Sequence, residues 1–296
     1  MIIVIVGPTG SGKTSIAYEL SKYLSDAPII NADAYQVYKD MNIGTAKCEI
    51  NSDLYLRHRL MDIKSPNEEF SVMEYQKLFR NELNDLLAKH KHVIVCGGTG
   101  LYIRASLYDY KFDEEIKDDT SDLEKLNNDE LWDLLIKLDK AATNNIHKNN
   151  RKRVIRAISI ARTSDVLKSE NISSQTHKMI YDEKNVKIFN INKDRETLYE
   201  NINKRVDDMI DCGLVEEVKN LLNKYQLSKT SKAAIGYKEI ISYLDNEISL
   251  IEAVELIKKR TRNYAKRQIT FFKHQLPCIN VDNIDEIKEV VKNESY

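Results

Sequence analysis

The chain has no cysteine pair at metal-binding spacing. Cys48, Cys96, Cys212 and Cys278 lie far apart with no C-x-x-C among them, which argues against a zinc site and a disulfide framework and leaves buried free thiols as the expectation. It also lacks any apolar run near the ~20 residues that a membrane span requires. The run Ile2 to Val6 is too short, and lacks the basic flank, to be a signal peptide, so a cytoplasmic protein with no membrane contact is expected. Net charge is almost absent, −1 over 296 residues, and as a whole-chain quantity it points to no polyanionic partner. There is no internal repeat and no low-complexity linker. The remainder, 42% hydrophobic and 31% charged, is an ordinary soluble composition. It is long for one compact core, so an α/β domain with an insertion or second lobe is expected.

Charge is nevertheless unevenly placed. Asp113, Glu114, Glu115, Asp118, Asp119, Asp122 and Glu124 crowd one stretch with only Lys117 against them. Leu256 to Gln275 holds Lys258, Lys259, Arg260, Arg262, Lys266, Arg267 and Lys273 and no acid. Such a basic segment is either a solvated helix face or a local footprint for an anionic partner.

What the chain does have is concentrated at its start. The apolar run Ile2 to Val6 stops at Gly7, and Gly7, Pro8, Thr9, Gly10, Ser11, Gly12, Lys13 and Thr14 fit G-x-x-x-x-G-K-[ST] at every fixed position. This is a phosphate-binding loop (P-loop). Its glycines let backbone N–H groups turn inward around phosphate oxygens, Lys13 reaches a terminal phosphate, Thr14 offers a hydroxyl to Mg²⁺, and the following helix points its positive end at the anion. The loop does not say whose phosphate it holds.

Beyond it, Ser15 to Leu24 has one apolar helical face, and Pro28 to Asp33 reads as a second buried strand carrying Asp33 at its carboxyl end. Ligands of doubly wound sheets sit beyond those ends, which makes Asp33 the leading candidate for a catalytic carboxylate. Tyr35 to Lys47 has no period and is expected to wrap the site. His58 to Ile63 reads as a short element, Ser71 to His90 as an amphipathic helix, and His92 to Cys96 as a third strand ended by Gly97-Gly-Thr-Gly100. That strand lacks the Mg²⁺-holding aspartate of many P-loop hydrolases. From 113 to 183 the composition turns polar and helix-rich, with a helix over Glu130 to Leu138 and a basic run at Lys148, Arg151, Lys152, Arg153 and Arg156. Val186 to Ile191 restores a strand, helices follow over Glu200–Cys212, Leu214–Tyr225, Tyr237–Leu244 and Leu250–His274, and Cys278 to Val281 is a last short strand. The expected fold is therefore α/β: a P-loop parallel sheet flanked by helices (1–112 and 184–296, with a helical C-terminal part) carrying an inserted all-helical lobe (113–183).

Small-molecule kinases share the loop and the carboxylate. The order GPTGSGKT, NADAYQVYKDMNIGTAK, HRLMDI, CGGTGLY, RKRVIRA, AIGYKE and TRNYAKRQ is more specific, and it resembles the tRNA dimethylallyltransferase (tRNA isopentenyltransferase) family from residue 2 to about residue 275. The resemblance implies transfer of a dimethylallyl group from dimethylallyl diphosphate to N6 of an adenine next to the anticodon, with release of diphosphate. It implies that the P-loop holds the diphosphate, with Lys13, an Mg²⁺ on Thr14 and Arg205 neutralising charge, and that Asp33 takes the amine proton. It further implies that the adenine is flipped out of its stack. Contact with the base and its neighbours falls to Asp33, Ala34, Tyr35, Gln36 and Thr99. Contact with the anticodon arm falls to Lys152, Arg153, Val154, Ile155 and Arg156 of the lobe, which makes it a tRNA-binding domain, and to Gly236, Tyr237, Lys238, Lys266, Arg267 and Gln268, with the tyrosines suited to stacking.

The chain departs from the family pattern at Ala34, where a serine is usual, and at Lys140, Asn150, Ala233 and Phe271. No Cys/His pair follows Tyr264 to His274, so the zinc finger appended in eukaryotic members is not expected. A monomer is expected. The alternatives are a transferase that prenylates free adenine nucleotides and a nucleotide-gated RNA-binding P-loop protein.

Overall fold

The computed structural model describes residues 1–112, 119–164, 166–170 and 177–293. Among these, β1 (Ile2–Val6) is apolar at every position and buried at every position, the pattern of a strand covered on both faces of a parallel sheet. It lies inside a six-stranded sheet of order β3-β2-β4-β1-β5-β6, with β2 (Ile29–Asn31), β3 (His58–Arg59), β4 (Val93–Gly97), β5 (Val186–Ile191) and β6 (Ile279–Val281) all running parallel. Val6 pairs with Gly97 on one side and Asn190 on the other. The loops leaving β1, β2 and β4 therefore emerge together at one end of the sheet.

The helices are α1 (Lys13–Tyr23), α2 (Asp53–Arg57), α3 (Val72–Leu87), α4 (Gly100–Leu107), α5 (Asn128–Asp139), α6 (Arg151–Thr163), α7 (Arg195–Asp211), α8 (Leu214–Lys224), α9 (Lys229–Lys232), α10 (Tyr237–Leu244), α11 (Leu250–Gln275) and α12 (Ile284–Asn293). Some of their starts follow side-chain capping: Ser71 with Glu74 boxes α3, and Ser249 with Glu252 boxes α11. Ile3, Ile5, Leu20, Ile29, Ile94, Phe189, Ile287 and Val291 form one core. None of the described helices is long and apolar enough to cross a membrane.

The chain divides into two compact units, Met1–Leu107 with Tyr181–Tyr296, and Tyr108–Ile180. In the second, α5 and α6 pack around Leu123, Leu131, Leu135, Val154, Ile155 and Ile158. Arg151 donates to the carbonyls of Leu126 at 2.7 Å and Leu123 at 3.1 Å, while Asp122 pairs with Arg162 and Glu124 lies near Arg151. Asp119 accepts from Ser121 N at 3.0 Å, and the first part of the acidic stretch, residues 113–118, lies outside the described residues.

Several elements differ from the sequence reading. Helix α1 begins at Lys13, directly on the P-loop, and α7 begins at Arg195 because the Asp194 side chain accepts from Thr197 N at 2.9 Å. The strand near His58 is only two residues long, since Leu60 (φ 59°) and Asp62 (φ 54°) take the left-handed conformation. Helices α2, α4, α9 and α12 were not anticipated. All four cysteines are free, but only Cys96 is buried; Cys212 caps the end of α7 and is exposed.

Candidate active site

Each glycine of the P-loop is needed for its own reason. A Cβ on Gly7 would fall 2.8 Å from Ser11 Oγ and 3.3 Å from Ile191 Cβ. Gly10 (φ 83°) and Gly12 (φ 85°) take the left-handed conformation that other residues avoid. Ser11 N donates to Pro8 O at 3.2 Å to close the turn, and Lys13 Nζ donates to the same carbonyl at 3.4 Å. Burial lowers the Lys13 pKa; the Arg205 charge lowers it further, while Cys96 and Asp33 oppose the shift. Ser11 Oγ is buried and has no hydrogen-bond partner among the described residues.

Asp33 follows β2 and is set by a local turn. Its backbone N–H donates to Asn31 Oδ1 at 3.1 Å, and its Oδ1 accepts from Tyr35 N at 2.9 Å and Gln36 N at 3.4 Å. Asn31 is buried and donates through Nδ2 to Leu60 O at 3.2 Å, so the N-A-D triplet is tied to the left-handed turn of H-R-L-M-D. Arg205, from α7, donates through Nη1 to Thr9 Oγ1 at 3.3 Å. Its pKa is lowered by burial and held up by Asp33.

These groups share a cavity of about 420 Å³. Thr9, Lys13, Thr14, Asp33 and Arg205 supply charged and hydroxyl groups, and Ile202, Val206, Met209, Ile235 and Ile257 an apolar wall. Tyr35, Gln36, Lys238, Arg260, Tyr264 and Arg267 also line it. The Tyr35 phenol is shifted up by burial first and then by the Asp33 and Glu239 charges; the Tyr264 phenol is shifted up by burial first and then by Asp33. Cys96, beneath Lys13, is pushed up to about 11 by burial.

The glycines after β4 mark three close approaches. A Cβ on Gly97 would fall 2.2 Å from Ala32 O, one on Gly98 2.3 Å from Gln268 Nε2, and one on Gly100 2.3 Å from the Phe271 ring. Gln268, in α11, joins two of the site's loops: its Oε1 accepts from Thr9 N at 2.9 Å and its Nε2 donates to Gly98 O at 2.9 Å. The Thr99 hydroxyl accepts from Ala34 N at 3.0 Å.

Several expected RNA contacts are placed differently. Gln268 is buried and spent on the P-loop and Gly98. Tyr237 is fully buried with its hydroxyl on Glu217, so its ring is not a stacking surface. Val154 and Ile155 belong to the core of the helical unit, and Gly236 is buried where α10 begins. Lys152, Arg153, Arg156, Lys266 and Arg267 are exposed, and Lys238 is half-buried. The sequence reading missed Asn31, Glu217 and the Glu239–Arg260 pair. Only Asn31 left a local signal, an Asn two residues before the carboxylate it orients.

A family model described as IPP transferase matches residues 36–275. The tRNA dimethylallyltransferase of Anoxybacillus flavithermus is 41% identical over 287 residues, which is 96% of this chain and 91% of that protein. The chain belongs to the IPP transferase family. The tRNA dimethylallyltransferase of Bacillus subtilis is likewise 41% identical, over 93% of this chain and 88% of its own. Among solved structures, the tRNA delta(2)-isopentenylpyrophosphate transferase of Staphylococcus epidermidis is 38% identical with a TM-score of 0.72 and 99% of both chains covered. A eukaryotic dimethylallyltransferase acting on tRNA is 26% identical with a TM-score of 0.79, covering 99% of this chain and 77% of that one. The IPP transferase match begins after the P-loop, at residue 36, and Gly44, Thr45, Tyr264, Arg267 and Gln268 within it line the cavity.

Proposed function

We propose that the chain transfers the dimethylallyl group of dimethylallyl diphosphate to N6 of the adenine next to the anticodon of tRNA, releasing diphosphate. One observation carries this reading. Asp33 shares a cavity with Lys13, Thr14 and Arg205, and Ile202, Val206, Met209, Ile235 and Ile257 give that cavity an apolar wall.

The N6 lone pair, delocalised into the purine, attacks the first carbon of the allyl group. The C–O bond to diphosphate breaks and its electron pair leaves with the anion, while the amine proton passes to the Asp33 carboxylate. Inward N–H groups of the P-loop, Lys13 and Arg205 stabilise the charge growing on the leaving oxygen, and base catalysis by Asp33 contributes ~10²–10⁴ in rate. The Tyr35 and Gln36 N–H groups bonded to Asp33 Oδ1 fix the carboxylate plane.

The Thr14 hydroxyl lines the cavity beside Lys13 and Asp33 and would hold an Mg²⁺, an ion that typically keeps its waters and binds substrate phosphates beside one or two protein oxygens. When bound, the ion would neutralise charge on the diphosphate. The exposed Lys152, Arg153 and Arg156 of the helical unit, and Lys266 and Arg267 of the other, serve the tRNA backbone. The enzyme acts as a cytoplasmic monomer.

The test supplies radiolabelled dimethylallyl diphosphate and Mg²⁺ with either unmodified tRNA or AMP. Label in tRNA, recovered as N6-prenylated adenosine on digestion, supports the reading. Label in AMP alone, or in neither, overturns it.

A further inference from the structure

The turn at Asn42, Ile43 and Gly44 directs three successive backbone N–H groups at one carboxylate. Glu217 Oε2 accepts from Asn42 N at 3.0 Å and Ile43 N at 2.8 Å, and Oε1 accepts from Gly44 N at 3.1 Å and from the Tyr237 hydroxyl at 2.7 Å. Successive inward N–H groups form an anion-binding concavity. Here the anion is a side chain of α8, so the concavity is not left for a substrate phosphate. Tyr237 is fully buried behind it, and a Cβ on Gly44 would fall 2.5 Å from the Tyr237 ring.

What the carboxylate holds matters because of what the turn touches. Gly44 and Thr45 form part of the cavity wall. Gln36 Nε2 donates to Thr45 O at 3.0 Å and Ala46 O at 3.4 Å, and the Gln36 backbone N–H donates to Asp33 Oδ1 at 3.4 Å. Hydrogen bonds joined by the backbone of the 42–46 turn and by Gln36 itself thus connect Glu217 to Asp33. Charge-assisted bonds are the strong ones, and removing the half-buried Glu217 acceptor leaves these N–H donors without their partner.

We propose that Glu217 is a positioning residue for Asp33: it anchors the 42–46 turn, the turn anchors Gln36, and Gln36 helps orient the carboxylate that accepts the amine proton. This rests on the function proposed above. Misplacing a reacting group by about 1 Å costs on the order of 10²-fold in rate. Glu217→Gln keeps the shape but turns an amide donor toward N–H donors, and should lower kcat by about 10- to 100-fold. The KM for dimethylallyl diphosphate and the affinity for Mg²⁺-diphosphate, both set at the P-loop, should hold. Glu217→Ala leaves a carboxylate-sized hole facing the N–H groups, so added formate or acetate should restore part of its kcat, and chloride should not. Gly44→Ala, which pushes the turn off Tyr237 with Glu217 intact, should give the same loss of kcat.

An unchanged kcat in Glu217→Gln overturns the proposal, as does loss of diphosphate affinity in parallel with kcat, or no rescue of Glu217→Ala by a carboxylate. Wild-type enzyme that fails to prenylate tRNA would instead overturn the function and leave the hydrogen-bond chain untouched. The two failures are therefore distinct.

Discussion

At the scale of single residues, the site gathers the half-buried charges of Lys13, Asp33 and Arg205 in one cavity. Asp33→Ala removes the proton acceptor and should lower turnover by ~10²–10⁴, with diphosphate and tRNA affinity little changed, as single-turnover kinetics and binding titrations would show. Turnover equal to wild type would take Asp33 out of the mechanism. Lys13 gives a pH signature. Burial lowers its pKa in the free protein, and only the protonated amine attracts diphosphate. Affinity for Mg²⁺-diphosphate should therefore fall as pH rises through that lowered value, sooner than an ordinary lysine with pKa about 10.4 would dictate. Calorimetry across alkaline pH checks this, and Lys13→Arg, which keeps its charge, should flatten the limb. Both residues were legible in the sequence because each belongs to a short local pattern: Lys13 closes a fixed loop motif, and Asp33 ends an apolar strand. Gln268 was legible only as part of a motif. Its partner Thr9 lies 259 positions away, and nothing local to Y-A-K-R-Q says that the glutamine serves the P-loop.

At the scale of elements, the turn after β4 shows how glycine spacing encodes contacts. Gly97→Ala sets a Cβ against the Ala32 carbonyl, backbone that cannot move without shifting Asp33. It should destabilise the protein by about 1–3 kcal/mol, in the usual range for overpacking, and lower activity beyond the loss of folded protein. Gly98→Ala meets only the movable end of Gln268. Urea denaturation should find it milder, while diphosphate affinity falls because Thr9 loses its acceptor. Equal stability losses in the two variants would refute this ranking. The buried strands β1, β4 and β5 were readable as apolar runs. Helix α4 was not: it starts inside the glycine motif and is buried over most of its length, so it has no polar face to give a period. Helix α12 was legible but overlooked: Ile284, Ile287, Val290 and Val291 recur at a helical period, and they pack on the sheet core.

At the scale of the molecule, the two compact units divide the work in the proposed function. One carries the cavity; the other carries α6, whose inward face is Val154, Ile155 and Ile158 and whose outward face is Lys152, Arg153 and Arg156. That alternation explains why R-K-R-V-I-R-A reads as a basic run in sequence yet supplies only some cations to solvent. Arg151 is committed to backbone carbonyls of its own unit. The net charge of −1 conceals all of this, because Asp122 pairs with Arg162 within the same unit. If the outward cations meet tRNA phosphates, each contact should release counterions and contribute about 0.7–0.9 to the slope of log affinity against log salt. Replacing Lys152, Arg153 and Arg156 with glutamine should then flatten the slope by about 2–3 and weaken tRNA binding most at low salt. Affinity for Mg²⁺-diphosphate and the melting temperature should stay near wild type, since these side chains are exposed and outside the helical unit's core. An unaltered slope would show that this helix face is only solvated, and the anticodon arm would have to be held by Lys266 and Arg267 on α11.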